Sequence, residues 1–324
     1  MYECFHCGCR SVIWDADFDY ADYGITDRVG IIHECHCENC GANITYYIDC
    51  GEIEDDENFV LDTMTWSFSR CNYTCLYEFD LHYIECNDVT DSFFGQFGTF
   101  CHLILQKYAD GELDLFELAQ YYEDHFDEEV WMDAPFTKGG DLKESYFYKG
   151  LEFFENFTPF LDKYDVLGVE KEIRFQIDGR DFVGYIDLLL REKETGKIII
   201  WDWKSGSIKL LKNGEVSKAK KEQEHFLEFK RQLYLYSIPI LEEYGRVDAL
   251  HWGLFKDGNN LEVPWNLEEF EDSKSWAKNQ IDNLYNREVW PPKDGAGDKD
   301  YYCRNLCGQR ENCEYCTPEP EEFE

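Results

Sequence analysis

The chain has 324 residues, 44% of them hydrophobic and 17% aromatic, which excludes global disorder and suits about two folded units. Its 68 acidic and 31 basic side chains give a formal charge of −37, so on average it repels nucleic acid. Any reading that binds nucleic acid needs a local basic surface or bridging cations. No apolar run reaches the roughly 18 residues of a membrane span, and the start MYECFHCGCR is no secretory leader. A cytoplasmic protein without a membrane partner is expected.

Residues 1–53 read as a small metal-stapled domain. Of the 15 cysteines, six fall within residues 4–40 and four within 303–316. Clusters of this kind without a leader point to metal rather than disulfides. Cys4-Phe-His-Cys7 and Cys37-Glu-Asn-Cys40-Gly41 are two C-x-x-C knuckles, each aiming two thiolates at one tetrahedral Zn²⁺. Gly41 supplies the positive φ that the second knuckle needs. Cys9 and Cys35 are rival ligands. Segments 27–37 and 42–48 alternate as strands, which makes the domain a β zinc ribbon whose ion replaces a core too small to stand alone. Residues 54–64, acidic and weakly patterned, read as a linker.

The second domain is expected over 65–324. Helical periodicity predicts helices over 65–84 (N-capped by Ser67 or Ser69), 95–108, 113–129 and 141–164. The period then falls to two, which predicts strands Val169–Ile177, Asp181–Arg191 and Lys197–Trp203, the first two joined at Asp178-Gly179. A helix over 221–244 kinked at Pro239, strands near 247–256 and 261–264, and a helix over 267–287 follow. The tail from Trp290 reads as turns rich in cysteine.

Two acids carry the chemistry. Asp187 lies in Gly184-Tyr-Ile-Asp187-Leu-Leu-Leu, and Asp202 ends the run Ile198-Ile-Ile-Trp-Asp202-Trp-Lys204. A carboxylate within an apolar strand is costly unless it is paired or metal-bound. Two on adjacent strands can converge on one divalent cation, and hard oxygen ligands favour Mg²⁺ or Mn²⁺. Lys204, two residues beyond Asp202, shares its side of the strand and can orient a water or stabilise a phosphorane-like transition state. The chemistry indicated is metal-assisted phosphodiester hydrolysis.

This pattern resembles the PD-(D/E)XK nuclease superfamily, and further segments resemble its RecB-like iron–sulfur exonuclease branch, which includes CRISPR-associated and phage-type members. The resemblance implies an α/β restriction-endonuclease-like core, a central mixed sheet flanked by helices. It implies that His102 of Gly98-Thr-Phe-Cys-His102 joins Asp187 and Asp202 as a metal ligand. Glu170 of VEKEIRF assists them, with Glu172 the competing acid. Gln232 and Tyr236, from Gln232-Leu-Tyr-Leu-Tyr236, help to hold the site and the DNA. Ser67-Phe-Ser-Arg-Cys-Asn-Tyr-Thr-Cys75 and the tail after Trp290-Pro-Pro imply a 4Fe–4S cluster on Cys75, Cys303, Cys307 and Cys313 that clasps the two ends of the nuclease domain. Leu76 stands where the family has Pro, and Cys71 and Cys316 are extra. A second zinc site formed by the four cysteines of 303–316 is the alternative.

Residues 204–231 hold eight basic and four acidic side chains, a basic island in an acidic chain. Lys209, Lys212, Lys218, Lys220, Lys221 and Arg231 are the expected phosphate contacts. The function expected is a metal-dependent DNA nuclease, an exonuclease acting on ends or single strands in recombination, replication or repair. The alternative is a non-catalytic adaptor whose zinc ribbon and acidic surface recruit a helicase, recombinase or other replication protein.

Overall fold

The structure, a computed structural model, describes residues 4, 7, 12–23, 25, 28–52, 58–136, 140–256, 258–285 and 287–316. Cys9 and residues 54–57, the start of the expected linker, lie outside them. The chain divides into two compact units, Met1–Phe59 and Val60–Glu324.

The first unit is a three-stranded antiparallel sheet in the order β1 (Val12–Asp19), β2 (Arg28–Cys37), β3 (Asn43–Glu52). Strand β1 adds to the two strands expected here; its apolar residues alternate with Asp15, Asp17 and Asp19 with the period of two of a strand. The turn after β2 closes through the backbone: Cys37 N donates to Ala42 O (2.9 Å) and Gly41 N to Cys37 O (2.7 Å). Gly41 has φ +71°, the conformation expected of the knuckle glycine. Cys4, Cys37 and Ile44 form a very small buried cluster.

In the second unit, α1 (Phe59–Thr63) places Leu61 in the main core, so folded structure begins before residue 65. The single helix expected over 65–84 is broken into α2 (Phe68–Cys71), α3 (Leu76–Phe79) and a π-helical stretch over Asp80–Ile84. Trp66 prevents a continuous helix. Its N–H donates to Asp181 O (2.7 Å) and its carbonyl accepts from Val183 N (2.9 Å), so this segment is drawn onto the sheet. Ser67 then caps α2. Helices α4 (Phe93–Ala109), α5 (Leu118–Glu129) and α6 (Leu142–Glu155) follow. The helix expected to reach 164 stops at Glu155, because Pro159 cannot continue it and disfavours helix at Thr158. Tyr164 already opens a strand, five positions before the expected Val169.

The sheet runs β4 (Tyr164–Ile177), β5 (Arg180–Glu192), β6 (Ile198–Lys204), β7 (Ala249–Leu254), β8 (Asn259–Pro264) in spatial order. Asp178 and Gly179, at φ +52° and +79°, make the tight turn of the β4–β5 hairpin. All neighbours are antiparallel except β6 and β7. A parallel pair needs a long crossover, and α7 (Lys220–Tyr244), which contains Pro239, provides it. Helix α8 (Leu267–Asp282) ends five residues short of expectation, and the tail includes a short α9 (Tyr301–Asn305). This is the expected mixed sheet flanked by helices. Strand β6 shows why the sheet is covered on both faces. Ile198 and Ile200 pack with Leu233 and Tyr234 of α7, while Trp201 and Trp203 pack with the α4–α6 side.

The two ends of this unit meet. Both carboxylate oxygens of Glu78 accept hydrogen bonds, one from Tyr302 Oη (2.6 Å) and one from Gly308 N (3.0 Å). Lys293 N donates to Cys75 Sγ at 3.3 Å.

Candidate active site

The site lies where α4 and α7 approach the middle of β4 and β5 and the end of β6. His102 projects from α4, and its Nδ1 stands 3.4 Å from Asp187 Oδ2. Gly98, one turn earlier, lets α4 come this close: a Cβ there would stand 3.2 Å from Ser205 Oγ, just beyond β6. Asp187 Oδ2 also accepts a 2.6 Å hydrogen bond from Trp203 N, which ties the carboxylate of β5 to the backbone of β6. Glu170 sits opposite Asp187 in the β4–β5 pairing, between the pairs Val169–Leu188 and Lys171–Ile186. Its φ of +44° is unusual for a residue with a side chain and marks local backbone strain at the site.

Donor atoms of His102, Glu170 and Asp187 all lie within 4.8 Å of one another. Glu172 stands apart, exposed and engaged by Arg174 (2.8 Å) and Tyr185 (3.2 Å), so Glu170 is the acid of this strand that faces the site. The expected trio of His102, Asp187 and Asp202 therefore gains Glu170 as a direct neighbour, with Asp202 set behind it. Asp202 Oδ2 is buried and makes no hydrogen bond. Lys204 Nζ lies 2.8 Å from it as an ion-pair partner without hydrogen-bond alignment, and donates to Gln232 Oε1 at 2.6 Å. Gln232 Nε2 reaches Tyr236 Oη at 3.4 Å. Gly184 admits the Tyr236 ring against β5, since a Cβ there would fall 2.5 Å from it.

The electrostatics are those of crowded acids. Burial, and then the charge of Asp202, push the Asp187 carboxyl well above its ordinary range. Burial raises Asp202 as well, against the pull of Lys204. Glu170 is raised by burial and then by Asp202 and Asp110. Burial followed by the charge of Lys204 pushes His102 down to about 4, so its ring is neutral at pH 7 and can offer a lone pair. Three half-buried or buried carboxylates and a neutral imidazole fit a hard divalent cation.

The family model described as the PD-(D/E)XK nuclease superfamily matches residues 65–317, most of the chain. The chain belongs to the PD-(D/E)XK nuclease superfamily. No curated protein matches it. It is similar to the crystal structure of a candidate exonuclease from Eubacterium rectale, at 12% identity and a TM-score of 0.45, over 83% of this chain and 97% of that one. That likeness is too distant to carry an argument about chemistry.

In this PD-(D/E)XK chain, Asp187, Asp202 and Lys204 occupy the positions read from the sequence, and the structure brings His102, Glu170, Gln232 and Tyr236 to them. Sequence reasoning missed the Trp203 N–H, because a backbone donor leaves no trace in residue type. It also missed Phe255, whose ring stands edge-on to His102 at 5.5 Å.

The basic island is split. Lys209, Lys212, Lys218, Lys220 and Lys221 are exposed on the loop after β6 and the start of α7, Lys220 beside Glu224 (3.5 Å). Arg231 lies instead over the Trp276 ring of α8, 4.6 Å from its centre.

The cysteines form two groups. Cys4 and Cys40, and Cys7 and Cys37, have sulfurs 3.7 Å apart, and one sulfur of each of the four lies within 4.8 Å of the rest. Sulfurs bound at about 2.3 Å around a tetrahedral ion stand about 3.8 Å apart, so this set has the dimensions of a zinc site. Cys35 is buried on β2 and is not in the set. At the other end, Cys75, Cys303, Cys307 and Cys313 are buried, and Cys316 lies against both Cys303 and Cys313.

Proposed function

We propose that the second unit hydrolyses phosphodiester bonds in DNA. The observation that carries this reading is the convergence of His102, Glu170 and Asp187 donor atoms beside the Asp202–Lys204 ion pair. His102, Glu170, Asp187 and Asp202 would hold Mg²⁺ or Mn²⁺. When bound, the ion supplies Lewis-acid polarisation of the phosphoryl oxygen and a more acidic water. Lys204 is held from two sides, by Asp202 and by Gln232, so its ammonium is fixed toward the reacting centre at little entropic cost. There it orients the attacking water and stabilises charge growing on the phosphoryl oxygens. Gln232, buttressed by Tyr236, is a positioning residue for Lys204. The exposed lysines from Lys209 to Lys221 offer phosphate contacts near the end of β6.

Exonucleolytic action on ends or single strands, in recombination, replication or repair, is the finer reading and rests on the family resemblance. So does a 4Fe–4S cluster on Cys75, Cys303, Cys307 and Cys313. A zinc site on the four cysteines of 303–316 is the alternative there, and assay of iron and acid-labile sulfide against zinc separates the two. In the first unit we assign Zn²⁺ to Cys4, Cys7, Cys37 and Cys40, with recruitment of a helicase, recombinase or other replication protein as its role.

The decisive experiment compares wild type and Lys204→Ala, purified anaerobically, on end-labelled and circular single- and double-stranded DNA with Mg²⁺, Mn²⁺ or neither. Metal-dependent cleavage should fall by at least about 10²–10³-fold in the variant, the scale of losing one transition-state donor. Mn²⁺ binding should survive. Undiminished turnover in the variant would remove Lys204 from the mechanism, and intact DNA under every condition would remove the nuclease reading.

A further inference from the structure

We propose that an aromatic trough beside the metal-ligand cluster is a stacking subsite for the unpaired bases of single-stranded DNA. This rests on the nuclease reading and adds to it the form of the substrate. Two cavities, of about 370 and 200 Å³, lie between α6 and the β7–β8 hairpin and share Phe153 and Phe157 as walls. Half-buried Phe160 also lines the second cavity, backed by the buried Trp201 ring stacked 4.4 Å from it.

Three observations favour a nucleic-acid strand as the occupant. The first is continuity with the site. The buried ring of Phe255 is packed against Phe153 at 5.8 Å on one side and against His102 at 5.5 Å on the other, so one side chain separates the trough from the metal-ligand cluster. The second is charge. Among the described residues, the two cavities are bordered by Lys149, Lys163 and Lys256 against a single acid, Glu152, in a chain whose acids outnumber its bases more than two to one. Lys256 is braced by a 3.1 Å hydrogen bond to Tyr146 Oη. The third is the pairing of lysine with the half-buried rings of Phe153, Phe157 and Phe160. Phosphates follow cations while bases stack on rings, an arrangement indifferent to sequence. A duplex hides its base faces in its own stack, so only an unpaired strand can use these walls.

The test uses the full-length protein without added divalent cation, and fluorescence anisotropy with a labelled oligo-dT and with a blunt duplex of equal length. Wild type should bind oligo-dT more tightly than duplex. The double variant Phe153→Leu/Phe157→Leu keeps apolar volume but removes the rings. It should bind oligo-dT roughly tenfold more weakly, within the range for losing base–aromatic stacking. Its Mn²⁺-dependent hydrolysis of bis(p-nitrophenyl) phosphate, which has no bases to place, should be unchanged. Unchanged oligo-dT affinity in a variant that melts like wild type would overturn the proposal, as would a wild-type preference for duplex. If the double variant fails to fold, Lys149→Glu, on the exposed side of α6, takes its place and must also weaken oligo-dT. Failure of wild type to hydrolyse either DNA or the small diester sinks the nuclease reading itself. Persistent hydrolysis with no effect of the substitutions on oligo-dT sinks only the trough.

Discussion

The two units hold their polar clusters in opposite ways. In the first, four sulfurs at zinc-site spacing stand beside a small buried cluster that, among the described residues, comprises Cys4, Cys37 and Ile44. There, with the proposed zinc bound, the metal site would hold the fold. In the second, a five-stranded sheet with packed helices on both faces presses carboxylates together against their own repulsion. There the fold holds the site. Stability and reactivity are thus coupled in opposite directions, and substitutions can break or sharpen the contrast.

The largest effect is expected from Cys37→Ser. A structural zinc site contributes about 10 kcal/mol or more to a small domain, so the first unit should lose zinc and its strands should become protease-sensitive. The thermal transition of the second unit should stay in place. Protection of residues 12–52 without metal would break the contrast. Next comes Gly253→Ala. The new Cβ would fall 2.0 Å from the Trp203 ring, and overpacking of this kind costs about 3 kcal/mol. Because Trp203 N secures Asp187, cleavage should decline as well, measured beside urea unfolding. A stability loss with untouched kinetics would show that the sheet and the site are less tightly joined than the 2.6 Å bond implies. The smallest effect is expected from Ser92→Ala. Ser92 caps α4 by accepting from Gly95 N at 3.0 Å, and its loss should cost about 1 kcal/mol in the second unit alone.

What could be read in advance follows the same division. Asp187 and Asp202 announced themselves as acids in apolar strands, and Lys204 followed by alternation. The hairpin was legible because Asp-Gly supplies two positive φ values. Other features depend on long-range geometry. The choice between Glu170 and Glu172 needed the irregular backbone at Glu170, which no local pattern specifies. The break in the helix after Thr65 came from Trp66 joining a strand more than a hundred positions away. The early start of β4 was hidden because Asp165 and Gly168 interrupt the alternation, where the pairing with β5 also shifts register between Val166 and Gly168. The departure of Arg231 from the basic island was set by Trp276, a partner on another helix.

The bonds from Glu78 to Tyr302 and Gly308 have a consequence for biosynthesis. They join positions more than 220 apart, so the closing contacts of the second unit form only after almost the whole unit has been translated. Contacts of such high sequence separation slow folding and leave the early segments waiting with apolar surface uncovered. The first unit, whose strands all pair within about forty residues, faces no such delay and can complete itself, ion included, while the rest is still being made. A ribosome stalled shortly before residue 300 would therefore carry one finished unit and one that cannot close.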